Sequence, residues 1–172
     1  MRLINTGPVI LVSCGPADKP NAITLAWSMN VSHKPPMLAV AIAPSRYSHE
    51  LITQSGEFCV NVPGRELGAA VMYMGSRSGR DGDKFAPAGL TPEPAASIGT
   101  VSIAECPGHI ECRVAQSAVA GDHTVFIAEI LDAYADPECF TGKRWTLSSP
   151  RGQTLHHLGE NFFGALQNKF QV

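Results

Sequence analysis

The stretch "PMLAVAIAPSRYSHELITQSGEFCVNV", residues 36–62, contains segments typical of a strand, a helix and a second strand in immediate succession. Residues 36–43 and 58–62 are short apolar runs bounded by Pro, Gly or Asn, as is typical of strands. Between them, Ser45 is a candidate N-cap for a helix that Gly56 would end. Strand-forming segments therefore dominate this part of the chain, and the helix interrupts them.

The rest of the chain extends the same pattern in both directions. Further predicted strands cover residues 8–14, 22–29, 100–105, 109–116 and 123–133. A second helix is predicted over residues 65–75, which carry one apolar face, and a short third helix around residues 158–168. Residues 86–97, rich in Pro and Ala, are expected to form a surface loop. Many short strands with few helices favour a mainly β fold, a small barrel flanked by helices.

The composition indicates a single domain, residues 1–172, that can bury its own core. Charged residues make up 16% of the chain, against about 25% in a typical globular protein. We therefore expect part of the surface to be buried in a homodimer. The net charge of −2 gives no general attraction to nucleic acid or to an anionic membrane. Neither is expected as a partner.

The N-terminal residues and the cysteines exclude two further classes of protein. Only residues 9–12 form an apolar run near the N-terminus, which is too short for a secretory signal, so we expect a cytoplasmic protein. The five cysteines are odd in number and contain no C-x-x-C motif, which argues against a disulfide framework and a zinc site. We accordingly expect structural cysteines, including Cys106 and Cys112, and no metal.

The densest polar stretch is "SGRDGDKF", residues 78–85. Asp81 and Asp83 begin the ligand pattern of a calcium loop, but the following residues do not continue it. Arg80, Lys84, serine hydroxyls and glycine N–H groups could instead hold one phosphate. A solvated polar turn accounts for this segment, taken alone, about equally well.

Two earlier stretches also suit a ligand. Residues 45–52 place serines and Arg46 at a predicted helix N-terminus, where an anion can bind, although a capped helix with a solvated arginine explains them too. Residues 21–32 combine polar side chains with Trp27, as expected of a pocket for a polar heterocycle or of a tryptophan in a barrel core.

An Asp-His pair, Asp122 and His123, lies at the turn into the strand predicted from residue 123. Such a pair is commonly a turn residue beside a hydrogen-bonded histidine. No serine or cysteine nucleophile motif accompanies it, so the sequence does not support a hydrolytic triad.

Taken in order, residues 8–63, 75–90 and 111–130 resemble the flavin reductase-like family with the FMN-binding split barrel, and within it the flavoredoxin-type branch. The resemblance covers residues 8–131. It implies a homodimeric flavoprotein with FMN near the interface. The residues that it places against the flavin ring and ribityl chain are Asn21, Thr24, Ala26, Trp27 and Ser28. Those that it places by the phosphate are Arg46, Tyr47, Ser48, Ser76, Ser78, Gly79 and Lys84.

The resemblance also implies an activity, NAD(P)H:flavin oxidoreductase, in which hydride passes from nicotinamide C4 to flavin N5. His123 is then the candidate catalytic residue, as a proton relay or a nicotinamide contact. The two aspartates of residues 78–85 are expected to shape the turn and to pair with Arg77 or Arg80. Two alternatives stay open: an electron-transfer protein with tightly bound FMN that exchanges electrons with a redox protein, and a split barrel for another ligand such as haem or a deazaflavin.

Overall fold

Seven antiparallel strands form one curled sheet in the order β2 (Asn21–Leu25), β1 (Ile10–Cys14), β5 (Glu57–Val62), β8 (Gly108–Ala120), β9 (His123–Ala135), β4 (Pro36–Ile42) and β3 (Ser28–His33). The structure is a computed structural model that describes residues 3–4 and 6–170. The other elements are α1 (Tyr47–Ser55), a 3-10 turn (Arg65–Leu67), α2 (Gly68–Ser76), α3 (Phe85–Ala88), β6 (Pro92–Pro94), β7 (Val101–Ile103), β10 (Leu155–Gly159) and β11 (Phe162–Ala165). The predicted fold class, a mainly β barrel with a few flanking helices, is confirmed.

Apolar residues pack on both faces of the sheet, and β1 is buried along its whole length for this reason. Val12 points into the barrel and packs with Phe58, whereas Leu11 points outward into a second cluster that contains Val71 of α2. Successive residues of a strand face opposite sides of a sheet, so β1 supplies both clusters. The second cluster fixes α2 against the outside of the barrel.

A polar network inside this frame centres on Asn61, which is fully buried. Its Oδ1 accepts hydrogen bonds from the Ile103 N–H and from His109 Nδ1, both at 2.9 Å. Its amide donates to Ser13 Oγ at 2.9 Å and to the Leu11 carbonyl at 3.1 Å. Burial lowers the pKa of His109, which favours the neutral imidazole that this bond uses. His109 therefore ties β8 to β5.

The prediction of a single strand over residues 22–29 is wrong, because the structure has two strands there, β2 and β3. The sheet has β2 at one edge and β3 at the other, and Ala26 and Trp27 carry the chain between them. The two edge strands are neighbours in sequence, and β2 also contacts β4. The sheet therefore curls into a barrel that is split between β2 and β3. The ends of β2 and β3 thus meet at the gap.

The helix predictions need three corrections. Helix α1 begins at Tyr47, with Arg46 and not Ser45 at the N-cap position, and no side chain caps it. Helix α2 continues to Ser76, one residue past the predicted stop at Gly75. The third helix is wrong: residues 155–165 form the β10–β11 hairpin, because alternating side chains flank a turn in which Gly159 and Glu160 have positive φ angles. The loop at residues 86–97 also contains part of α3 and strand β6.

Candidate functional site

Two adjoining cavities open along the split of the barrel. The larger, here called the cleft, has a volume of about 870 Å³, and the smaller, here called the pocket, about 270 Å³. They share Ile23, Arg46, Gly75 and Ser76, so a single ligand can occupy both. The cleft is lined by the end of β2, Trp27, the end of β4, one side of α2, the Asp122–His123 turn and the β10–β11 hairpin.

The pocket lies at the N-terminus of α1, where backbone N–H groups have no partner within the helix and attract an anion. Ser48 is buried there, and its Oγ accepts a hydrogen bond of 2.7 Å from the Asn21 amide. The Oδ1 atom of Asn21 is buried and makes no hydrogen bond within the described part of the chain. A donor from a ligand would satisfy it. Two arginines, Arg46 and Arg77, also line the pocket.

Gly79 keeps the pocket open. A Cβ atom at this position would lie 2.2 Å from Asn21 Oδ1 and 3.1 Å from Tyr47 Cδ1. The first distance is far shorter than a van der Waals contact, so any side chain at residue 79 would displace the buried amide. A glycine with an ordinary backbone conformation is therefore required here for space.

Lys84 lies at the base of the pocket, and its hydrogen bonds favour a structural role over the expected contact with phosphate. It is buried, and its ammonium donates to the carbonyl oxygens of Ala22, Met74 (3.0 Å) and Arg77 (3.2 Å). Three acceptors use all three N–H bonds of an ammonium, which leaves none for a phosphate. Burial lowers the pKa of Lys84 to about 8, while the carbonyl acceptors favour its charged form. Lys84 is thus a clamp that joins β2 to the end of α2.

The charged residues of the segment 77–84, here called the loop, are also paired differently from the expectation. Arg80 forms an ion pair of 2.8 Å with Glu50 and lies over the Tyr47 ring, which ties the loop to α1. Asp83 accepts hydrogen bonds from the Phe85 and Ala86 N–H groups at the start of α3. Asp83 therefore shapes the turn, as predicted, but the predicted partner of Arg80 was wrong.

In the cleft, three side chains form a row beside the gap of the barrel. His123 Nδ1 and Asp122 Oδ1 are 2.7 Å apart, and the imidazole lies 4.7 Å from the Trp27 ring, centroid to centroid. The hydrogen bond from His123 lowers the pKa of Asp122. This carboxylate therefore orients the imidazole, with Nδ1 as the donor and Nε2 left for another partner.

Thr24 holds the opposite wall of the cleft. Its hydroxyl donates to the Val71 carbonyl at 2.6 Å, and a Cβ at Gly75 would lie 3.2 Å from Thr24 Cβ. The absence of a side chain at Gly75 lets α2 approach β2 closely. This wall therefore combines the close contact of Gly75 and Thr24 with the apolar side chains of Val71 and Met72.

The structure brings together nearly all of the residues that the sequence singled out. Lining the cleft are Thr24, Ala26, Trp27 and His123; lining the pocket are Asn21, Tyr47, Ser48, Ser78, Gly79 and Lys84; lining both are Arg46 and Ser76. Ser28 lines neither, because it pairs with Val40, whose side chain lies in the barrel core. Sequence reasoning missed Glu160 and Asn161 of the hairpin, which line the cleft together with His157 and Phe163. The turn signal "GEN" at residues 159–161 could have indicated that hairpin.

Comparison with known proteins shows a family match for most of the chain. Residues 1–148 match the family model described as the flavin reductase like domain. The chain is 30% identical over 138 residues to an NADH flavin reductase of Kitasatospora aureofaciens, covering 80% of this chain and 70% of the relative.

Solved structures agree with the family match. An FMN-binding domain of a flavin reductase-like enzyme from Shewanella baltica has a TM-score of 0.86 at 27% identity, covering 99% of this chain and 92% of that chain. The flavoredoxin of Desulfovibrio vulgaris (Miyazaki F) has a TM-score of 0.85 at 28% identity, covering 96% and 89%. Within the described residues, no helix is both long and apolar enough to cross a membrane.

Proposed function

The chain belongs to the flavin reductase-like domain family, and we propose that it is an NAD(P)H:flavin oxidoreductase that binds FMN in the cleft and the pocket. The observation that carries this proposal is the continuity of the two cavities through Arg46 and Ser76. FMN has a flat ring joined through a polyol chain to one phosphate. A broad cleft connected to an anion-attracting pocket accommodates these three parts in that order.

The polar groups of the pocket fit FMN. The α1 N-terminus, Ser48 and Arg46 would hold the phosphate through charge-assisted hydrogen bonds. A hydroxyl of the ribityl chain would donate to Asn21 Oδ1, the buried acceptor that has no partner among the described residues. Lys84 and Arg80 would position the loop and not touch the anion.

In the cleft, FMN supplies the redox chemistry when it is bound, and the protein binds, orients and shields the reacting groups. Trp27, the end of β2 and the side of α2 that contains Gly75 would form walls for a planar ring. The Asp122 carboxylate fixes the His123 ring, so that Nε2 can contact the nicotinamide or hold a proton. His123 is our candidate catalytic residue.

Replacing His123 with Ala should lower kcat/KM for NAD(P)H-dependent flavin reduction about tenfold, which corresponds to roughly 1.4 kcal/mol of transition-state stabilisation. The FMN affinity should change little, because the pocket that holds the phosphate is untouched. Stopped-flow reduction and flavin fluorescence titration measure the two quantities. Asp122→Asn is the matched variant, and it should lower kcat/KM by a smaller factor. An unchanged kcat/KM in His123→Ala would contradict the proposed role of His123.

Anaerobic mixing of the FMN-loaded protein with NADH or NADPH tests the proposed activity. Bleaching of the flavin absorbance within seconds by either nucleotide supports the reductase. An electron-transfer protein is the second candidate, favoured by the likeness to the D. vulgaris flavoredoxin. It predicts no bleaching by either nucleotide and rapid reduction by a ferredoxin-like donor.

We also propose a homodimer, supported by an apolar outer face on β3, β4 and β9. Met29 pairs with Ala39, and Ala39 pairs with Ile127, so these three side chains share one face. Ala41 and Val125 form the next pair of side chains along the same face. Phe126 and Ala128 point the other way, into the barrel core. Ala41 and Trp27 also line the cleft, so a second copy on this face would lie beside the ligand.

Replacing Met29 with Glu should convert the dimer into a monomer. The Met29 side chain is 67% exposed in one chain, so a carboxylate there stays hydrated in a monomer but would be buried and unpaired in the dimer. Light scattering after size exclusion measures the mass, and thermal unfolding checks that the variant remains folded. A wild-type protein that is monomeric at micromolar concentration, or a variant that stays dimeric, would contradict this interface.

A further inference from the structure

The β10–β11 hairpin forms a wall of the cleft although it lies beyond residues 1–148, which match the family model. It is fixed to the barrel at its base. The Leu155 carbonyl accepts a hydrogen bond of 2.8 Å from the Val9 N–H, and the Leu155 side chain is buried in the cluster that contains α2. The hairpin therefore holds its tip at a defined place over the cleft.

The tip itself is also held in place. His157 Nε2 lies 3.1 Å from the Glu160 carbonyl, to which it donates, and the imidazole lies 5.5 Å from the Phe163 ring. His157, Glu160, Asn161 and Phe163 all line the cleft, and none of them lines the pocket. The hairpin tip thus belongs to the part of the cleft that does not adjoin the phosphate pocket.

The cleft has room for more than one ring. Its volume of about 870 Å³ is near the upper end of the roughly 300–1,000 Å³ that encloses a single drug-sized ligand. In the proposed reductase, a hydride donor would have to lie against the flavin within this cleft. The Asp122–His123 turn and the hairpin tip both border it away from the phosphate pocket, and they can contact such a donor.

We propose that Asn161, which lies in the hairpin turn spanned by the His157–Glu160 hydrogen bond, recognises the carboxamide of the nicotinamide ring. The inference rests on the proposed reductase activity and assigns a specificity-determining residue for the donor. An asparagine amide has both a donor and an acceptor, and a primary carboxamide is its complement in both. The other polar groups of the tip are a carboxylate, Glu160, which only accepts, and His157, which already donates to a backbone carbonyl.

The test compares two donors, NADH and 1-benzyl-1,4-dihydronicotinamide, which has the carboxamide but lacks the adenosine diphosphate. If Asn161 contacts the carboxamide, Asn161→Ala and the similarly sized Asn161→Leu should raise the apparent KM about tenfold for both donors. The FMN affinity should stay within twofold of wild type. Phe162→Ala is the control, because Phe162 is on the same hairpin, is 68% exposed and does not line the cleft.

Three results would overturn the inference while leaving the reductase activity intact: unchanged KM for both donors, an effect on NADH alone, and an equal effect of Phe162→Ala. The second result would mean that the tip contacts the adenosine end of the dinucleotide. Failure of the activity itself is a separate outcome, recognised because neither donor would reduce the wild-type flavoprotein.

Discussion

Replacing Lys84 with Met should lower the free energy of unfolding by about 3 kcal/mol and greatly weaken FMN binding. The substitution keeps the length of the side chain but removes the donor shared by the carbonyls of Ala22, Met74 and Arg77. Hydrogen bonds to a charged group contribute roughly 1.5–3 kcal/mol each and are not additive, so the total falls near the upper value for one bond. Without the clamp, residues 77–84 lose their attachment to β2 and no longer enclose the pocket.

Urea unfolding and FMN titration of the same variant measure both effects. Lys143→Met is the matched control, since Lys143 is exposed and does not line the pocket. If Lys84→Met lost FMN affinity with no loss of stability, the ammonium would be a direct phosphate ligand, as the sequence suggested, and the structural role would be wrong.

Replacing Gly79 with Ala should weaken FMN binding roughly 30-fold, about 2 kcal/mol, with little change in the folding of the barrel. The new Cβ would lie 2.2 Å from Asn21 Oδ1, so the amide must move. That movement breaks the 2.7 Å hydrogen bond to Ser48 and disturbs the anion site at the α1 N-terminus. Backbone strain is not the cause, because Gly79 is not among the glycines with positive φ.

Gly68→Ala is the control for the intrinsic effect of the substitution. A Cβ there meets nothing within 4 Å, and Gly68 lies at the start of α2, outside the pocket lining. Isothermal titration with FMN compares the two variants under the same conditions. An FMN affinity of Gly79→Ala equal to that of Gly68→Ala would show that the loop does not enclose the ligand.

The fold class could be predicted because strand length and apolar pattern are local properties of the sequence. The split between β2 and β3 could not, since residues 22–29 read as one continuous strand until sheet pairing places its two halves at opposite edges. The same pairing explains Ser28: only its register with Val40 shows that it faces away from the cleft.

Most residues of the site could be predicted from the sequence, but the hydrogen bonds that they form could not. Family resemblance grouped Asn21, Ser48 and Lys84, which are far apart in the chain. The acceptors of Lys84 are backbone carbonyls, which exist at every residue and leave no sequence signal. The sequence predicted a helix where the hairpin lies, because over a short window its apolar residues fit both the helical and the strand period. The turn at residues 159–161, with positive φ angles at Gly159 and Glu160, favours the hairpin.

The central claim is that the cleft and the pocket bind one ligand, with its ring in the first and its phosphate in the second. Fluorescence titration of flavin-free protein with FMN and with riboflavin, which lacks only the phosphate, tests it most directly. Charge-assisted hydrogen bonds in the pocket should make Kd for FMN at least about 30-fold lower than Kd for riboflavin. Equal affinity for the two flavins, or binding of neither, would contradict the account.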